Sequence, residues 1–150
     1  FGYGRVNAQR AVMEAKRRLW SGRTYTRTAE LKSTTSSEIP DNDDAGVVRS
    51  LLMRQSGIVQ DLIVQVTLEH DYLGEVMLHL QLTTGKELLL QGRTLGTRQR
   101  LEQQYTLRNT PGLVQAIGHQ ASGSWHQRAS DRAPGHVGKL LSWQLTLALQ

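Results

Sequence analysis

Apolar and polar side chains alternate with a period of two in three separate stretches of the chain. A strand points successive side chains to opposite faces of its sheet, so this alternation predicts strands with one face in a core. Glycines punctuate the stretches at the spacing of turns. The pattern predicts an all-β fold, either a β-sandwich or a jelly roll. The alternating apolar positions are Leu62, Val64, Val66 and Leu68; Val76, Leu78, Leu80 and Leu82; and Leu141, Trp143, Leu145, Leu147 and Leu149.

One short α-helix is predicted, at the beginning of the chain. Asn7 is a good N-cap residue, because its side-chain oxygen can accept from the free N–H groups of the first turn. From Ala8 to Leu19 the apolar residues fall on one stripe at helical spacing. Ser21-Gly22 ends the pattern. We therefore expect a helix that precedes the β domain.

The net charge divides the chain in the same place. The formal net charge is +5, but residues 1–32 carry eight Lys or Arg against two Glu, and the remainder is close to neutral. Residues 33–46 have the Ser, Thr, Asp and Pro content of a loop. We expect a helix with its linker over residues 1–32 and the β domain over residues 33–150. The basic segment is interpreted as a solvated helix end, with binding of a polyanion as the alternative.

Composition excludes several classes of protein. The length of 150 residues fits one ordinary domain. With no cysteine, disulfides and thiol chemistry are excluded. No apolar run reaches the roughly eighteen residues that a membrane-spanning helix needs. The near-neutral β region also argues against a nucleic-acid interface.

Acidic side chains suggest a cation site. The run "DNDDAG" resembles the start of a calcium loop, but Ala45 and Leu52 stand at its fifth and twelfth positions, which excludes an EF-hand. A looser cage of carboxylate oxygens from separate loops remains possible as a calcium site. The alternative is that these side chains form Asx turns and accept backbone N–H groups. The candidate metal ligands are Asp41, Asp43, Asp71 and Asp131.

No catalytic apparatus can be identified. The sequence contains no GxSxG nucleophile motif, no HxxxH metal pair and no glycine-rich phosphate loop after a strand. We therefore expect no catalytic residues and no cofactor other than calcium. The histidines are predicted to be structural. His70 is expected to bond locally near Asp71, and His79 to point away from the core.

Four stretches occur in the order expected of one protein family. "FGYGRVNAQRAV" resembles the last helix of the catalytic domain in subtilisin-like proteases of the proprotein convertase (kexin) group. "IPDNDDAGVV" resembles the opening of their P domain, also called Homo B. "VTLEHDYLGEVMLHL" resembles its strand–turn–strand, and "ASGSWHQRASDRAPGHVGKLLSWQLTLAL" its closing segment. Family marker positions are matched by His70, Tyr72, Gly74, Glu75, Gly123, Trp125, Asp131, Gly138, Leu140 and Trp143.

The resemblance implies both a fold and a role. The fold would be an eight-stranded jelly roll, similar to galactose-binding domains. The role would be that of a non-catalytic accessory domain, docked on the catalytic domain of a bacterial serine endopeptidase and needed for its stability. The catalytic triad would then lie upstream, outside these residues. Secretion and calcium dependence of the parent protease are implied in the same way.

In one region this chain departs from the family pattern. Between Leu90 and Ala121 the chain is basic where many bacterial members are acidic, which puts a calcium site in that loop in doubt.

The rival function is a carbohydrate-binding jelly-roll module, which would display aromatic rings. Trp143 falls in phase with core leucines, so it is not expected to be displayed. The aromatic residues that could be displayed are scattered: Trp20, Tyr25, Tyr72 and Tyr105.

Overall fold

Nine strands and two short 3-10 turns make up the part of the chain that the computed structural model describes, residues 27–150. The helix predicted over residues 8–19 lies outside the described residues. The 3-10 turns are Leu73–Glu75 and Pro111–Ala116. The strands are β1 (Arg27–Ser33), β2 (Ser37–Ile39), β3 (Asp43–Met53), β4 (Val59–His70), β5 (Val76–Gln81), β6 (Glu87–Gln91), β7 (Arg100–Thr106), β8 (Gly123–Asp131) and β9 (Gly138–Leu149).

The strands form two antiparallel sheets that face each other. One sheet has the order β1-β9-β4-β7, and β2 pairs with the N-terminal end of β9 in the same sheet. The other sheet has the order β3-β8-β5-β6. Each sheet thus interleaves early and late strands, which is the connectivity of a jelly roll. The predicted all-β sandwich is confirmed. No helix among the described residues is long and apolar enough to cross a membrane.

The core fills the space between the two sheets. The predicted inward positions of β4 and β5 are all fully buried. Leu82, the last predicted position of the second run, lies just after β5 and is also buried. Trp125 of β8 and Trp143 of β9 are each 1% exposed, so the prediction that Trp143 belongs to the core is confirmed. The Trp125 indole N–H donates to the carbonyl oxygen of Ala121 at 2.9 Å, so this ring keeps a polar partner inside the core.

The alternation predicted for β9 is wrong at its first residue. Leu140 is fully buried, whereas Leu141 is only half-buried. The pairing of β9 with β4 shifts between Thr67↔Ser142 and Leu68↔Leu140, so Leu141 is an extra residue on β9. Such a β-bulge moves the preceding residues of the strand to the opposite face. The core position is therefore Leu140, with normal alternation resuming at Trp143.

The polar N-terminal part of the β region contains more strand than its composition indicates. Residues 27–32, expected in a linker, lie in β1 and pair with β9. The stretch 33–46, expected to be a loop, contains β2 and the start of β3. Gly46 has a φ of +63°, and a Cβ there would lie 2.2 Å from the carbonyl oxygen of Ala129. β1, β2 and the start of β3 are short or peripheral and bury little surface, so no apolar period marks them in the sequence. The division of the chain near residue 32 stays a prediction.

We predict that the bulge separates the effects of two adjacent substitutions. Leu140→Ala should lower the free energy of unfolding by about 2–5 kcal/mol, because it opens a cavity in the core. Leu141→Ala, its matched control, should cost about 1 kcal/mol or less. Urea unfolding of the two variants measures the difference. Equal losses, or a larger loss for Leu141→Ala, would contradict the bulge.

Candidate functional site

Four polar side chains meet at one end of the sandwich. His70 is the last residue of β4 and Asp131 the last residue of β8, so each stands at an inward position where its strand leaves the core. Glu75 ends the 3-10 turn before β5, and His136 lies in the β8–β9 connection. Gly138 allows the close approach of β9, since a Cβ there would lie 2.6 Å from Cδ2 of His70. We call these four residues the end cluster.

The proton on His70 can be assigned from its partners. The backbone N–H of Tyr72 donates to Nδ1 of His70 at 2.9 Å. Because a backbone N–H can only donate, Nδ1 carries no proton and Nε2 carries one. Nε2 then donates to Oδ2 of Asp131, also at 2.9 Å, with both side chains fully buried. His70 is therefore a neutral imidazole with both ring nitrogens engaged.

Asp131 and Glu75 connect this imidazole to the neighbouring loops. Oδ1 of Asp131 accepts from the backbone N–H of Ala133 at 3.0 Å. Oε1 of Glu75 lies 2.9 Å from Nδ1 of His136, and the His136 ring contacts the Tyr72 ring edge-on at 5.5 Å between centroids. Oε2 of Glu75 is buried without a hydrogen-bond partner in the described part of the chain. The end cluster thus ties the β4–β5 turn to the β8–β9 connection.

The end cluster is poorly suited to metal binding. One ligand atom from each of His70, Glu75 and Asp131 lies within 4.8 Å of the others, a spacing that could hold an ion. A metal on Nε2 would move the imidazole proton to Nδ1, where it would meet the donating N–H of Tyr72. A ligating histidine normally donates from its other nitrogen, the reverse of what is seen here. Calcium, which takes oxygen ligands, fits this nitrogen-containing set even less well.

The buried pair is also unlike a catalytic dyad. In a serine protease triad the aspartate holds one imidazole nitrogen and the other receives the proton of the nucleophile. Here the second nitrogen already accepts a backbone N–H, so no basic nitrogen is free for proton transfer. The His70–Asp131 pair is therefore a structural connection between the two sheets.

The four aspartates predicted as metal ligands each accept a backbone N–H. Asp43 accepts from Ala45 at 2.9 Å, the Asx-turn geometry of the alternative interpretation. Only Asp131 belongs to the end cluster, the single group of three possible metal ligands found among residues 27–150. The calcium site stays a prediction. The remaining two bonds are Asp41 with Gly135 N–H at 3.1 Å and Asp71 with Val137 N–H at 3.4 Å.

Asp41 and Asp71 line one open groove beside the end cluster. The groove has a volume of about 860 Å³, with Ile39, Pro40 and Val137 among its apolar lining residues. Glu38 and Glu69 add two further carboxylates to its wall. Glu69 is paired with Arg100 at 2.7 Å, an exposed ion pair that lowers the negative charge of the groove. Asp41 and Asp71 are thus the predicted ligands that share a surface.

Sequence reasoning missed how the end cluster is assembled. His70 was expected to bond locally, and its Nδ1 does accept the N–H of Tyr72, but its carboxylate partner is Asp131, 61 positions away. The signal was available: His70 continues the inward phase of Leu62 to Leu68, which predicts an inward histidine. His136 carried no signal, because it lies in a connection without periodicity. Tyr105, considered for display, is buried, and its hydroxyl donates to Gln91 at 3.0 Å; burial raises the pKa of this phenol.

Comparison with known proteins decides the family. The model of the proprotein convertase P-domain matches residues 59–147, which is more than half of the chain. The chain belongs to the proprotein convertase P-domain family. The resemblance found in the sequence is thereby confirmed. The residues of the end cluster His70, Glu75, Asp131 and His136 all lie inside the matched region.

Similar proteins are several times longer than this chain. The chain is 28% identical over 153 residues to the calcium-dependent protease of Nostoc sp., covering 98% of the chain but 22% of that protein. It is 29% identical over 119 residues to leupeptin-inactivating enzyme 1 of Streptomyces exfoliatus, covering 77% of the chain and 25% of that protein. The chain thus spans about a quarter of the length of these relatives.

A solved protease structure has the same fold over its matched part. The serine protease of Aeromonas sobria superposes with a TM-score of 0.64 and 16% identity, covering 95% of the chain and 30% of that protein. Its complex with a chaperone gives a TM-score of 0.65 at the same identity, over 85% of the chain and 28% of that protein. At this identity the similarity shows the fold of the P domain and carries no residue roles.

We predict that the buried pair of this P domain requires an anionic acceptor. Asp131→Asn should lower the free energy of unfolding by about 1–3 kcal/mol. The carboxylate accepts two N–H groups, and the side-chain NH2 group of asparagine would face one of them, so that two donors meet without an acceptor. Asp44→Asn is the matched control. Asp44 is 79% exposed and only pairs with Arg132 at 3.4 Å, so its loss should change stability by about 0.5 kcal/mol or less. Denaturant unfolding tests both, and similar values would contradict a special role for Asp131.

Calcium is predicted to have at most a weak effect on this P domain. Binding to the native state alone would raise the melting temperature as calcium is added. We expect no saturable rise at micromolar calcium, because the four predicted carboxylates do not converge: only Asp41 and Asp71 share the groove, and the group of possible ligands that contains Asp131 includes neither of them. Differential scanning fluorimetry with magnesium as the control measures this. A large saturable rise that is absent in Asp41→Asn would establish the predicted site.

Proposed function

We propose that this P domain docks on the catalytic domain of a subtilisin-like serine endopeptidase in the same polypeptide and stabilises it. Membership of the P-domain family, with its match over residues 59–147, is the observation that carries the proposal. The protease relatives, of which the chain covers about a quarter, support it. In this proposal the catalytic triad belongs to the catalytic domain and the P domain supplies a binding surface.

The arrangement of the end cluster supports a role without catalysis. The His70 imidazole has no free nitrogen, and Asp131 accepts hydrogen bonds from the protein through both carboxylate oxygens. A buried pair of this kind fixes the relative position of loops and leaves His70 no lone pair with which to take a proton. We therefore propose that the described residues contribute nothing to bond cleavage.

Secretion and calcium dependence are proposed for the parent protease only. Both follow from the family resemblance, and the name of the Nostoc relative supports the dependence on calcium. Calcium at the P domain itself would use Asp41 and Asp71, which share the groove. A carbohydrate-binding role has little support in the described chain: of the aromatic residues considered for display, Tyr105 is buried and Tyr72 alone is exposed, while Trp20 and Tyr25 lie outside the described residues.

The proposal is tested by producing the catalytic domain with and without this chain. We expect the catalytic domain alone to melt at a lower temperature and to lose activity faster, because it lacks the surface on which it packs. The Asp131→Asn variant should reduce the stabilisation, and Asp44→Asn should not. The chain alone should show no hydrolysis of casein. A catalytic domain that matures and survives equally well without the chain would refute the proposal.

A further inference from the structure

The outer edge of β3 is a row of main-chain hydrogen-bonding groups without partners in the described chain. β3 pairs with β8 alone, and it does so without a shift in register from Val47 to Met53. No main-chain bond from a turn or loop of residues 27–150 reaches this stretch from its other side. An unpaired strand edge is a template on which another extended chain can pair.

The stretch 47–53, VVRSLLM, has the composition of a strand that pairs readily. It holds five apolar residues, a single charge, no proline and no glycine, which is typical of segments that add to one another when an edge exposes them. The charge belongs to Arg49, which stands opposite the fully buried Gln127 and so lies on the inner side of the sheet. On the outer side Val48 is 43% and Leu52 51% exposed. An added strand would therefore meet aliphatic side chains and no charge on the outer face.

The other edge strands of the described sandwich carry features that oppose such pairing. At β7 the Asn109 side chain accepts from the N–H of Thr106 and donates to the carbonyl oxygen of Gln104, both at 2.8 Å, which occupies the free main-chain groups. β6 lies against the second 3-10 turn. β1 carries Glu30 and Lys32, both exposed, and charged side chains on an edge strand discourage pairing. From residue 47 to residue 53, β3 has none of these three protections.

The stretch 47–53 is complementary to a second copy of itself. Two copies related by a two-fold axis through Ser50, normal to the sheet, would pair antiparallel with Ser50 opposite Ser50. Val48 of each copy would then face Leu52 of the other, and the axis keeps these side chains on the same outer face. Facing side chains in an antiparallel pair stand about 5 Å apart at Cβ, so the exposed aliphatic groups would cover each other. Because both copies use the same edge, the assembly closes at two chains.

We propose that the β3 edge is an interface between two copies of this chain, formed by antiparallel pairing of residues 47–53 about Ser50. The pairing joins two four-stranded sheets into one continuous sheet of eight strands. One strand pair buries less surface than a stable dimer needs, so the association is weak and depends on protein concentration. The inference concerns contacts between copies of the chain and is independent of the proposed docking on a catalytic domain.

Disulfide cross-linking tests the position of the axis. The chain has no cysteine, so Ser50→Cys introduces one unique thiol, which the proposed axis places next to its copy. Gln104→Cys is the matched control, an exposed position on the edge strand β7 of the other sheet. Under mild oxidation we expect Ser50→Cys to form a covalent dimer at least about tenfold faster than Gln104→Cys, because the facing Cβ atoms stand close to disulfide distance. Equal rates for the two variants would contradict the proposal.

Charge pairs test the register without thiols. Val48→Lys combined with Leu52→Glu would set opposite charges face to face at both ends of the strand pair. Val48→Lys combined with Leu52→Lys, the matched control, would set like charges there. Sedimentation equilibrium measures the dimer dissociation constant of each variant. We expect the like-charge variant to dissociate at a concentration at least about tenfold higher, because like charges directly opposite destabilise an antiparallel pair. Reversing the opposite charges, with Val48→Glu and Leu52→Lys, should leave the dimer as strong as the first combination.

Three outcomes would overturn the inference. One is a wild-type chain that stays monomeric at every concentration measured. Another is a dimer whose dissociation constant is the same in the opposite-charge and like-charge variants, which would form through a different surface. The third is slow hydrogen exchange of every amide from residue 47 to residue 53 in the dilute monomer, which would assign the β3 edge to residues 1–26 of the same chain.

Discussion

The two sheets are held together at one end by a buried hydrogen bond between His70 and Asp131, and elsewhere by apolar packing. His70 belongs to β4 in the five-stranded sheet and Asp131 to β8 in the four-stranded sheet. Both occupy inward positions at which a leucine would continue the core. Once the imidazole accepts the N–H of Tyr72, its remaining proton must find an acceptor, and the Asp131 carboxylate is that acceptor. The turn after β4 and the connection after β8 are positioned by the same two side chains.

This arrangement gives the family marker residues a physical meaning. Glu75, Gly138 and Tyr72 surround the buried pair: Glu75 reaches His136 in the β8–β9 connection, Gly138 admits β9 against the His70 ring, and Tyr72 contacts the imidazole of His136. A set of His, Asp and Glu side chains in a protease-related chain invites a catalytic or metal-binding interpretation. The direction of each hydrogen bond argues for a structural one, because neither nitrogen of His70 is left with a lone pair to offer.

The inner and outer faces of the sandwich differ in the side chains they carry. The inner faces are apolar and closed. The five-stranded outer face carries amides and charges, whereas the four-stranded outer face also carries the exposed aliphatic residues Val48, Leu52 and Leu89.

The amino-acid sequence by itself determined the all-β class, the inward faces of β4 and β5, the burial of Trp143 and the family. These follow from local information: a period of two is written into consecutive residues, and family motifs are short and ordered. Tertiary structure alone decided the bulge at Leu141, the strand content of residues 27–46 and the pairing of His70 with Asp131. Each depends on a partner strand far away in the chain. A bulge is defined by the register of the facing strand, a polar edge strand forms because its neighbour offers a ladder of hydrogen bonds, and a buried histidine takes whichever carboxylate the opposite sheet brings within reach.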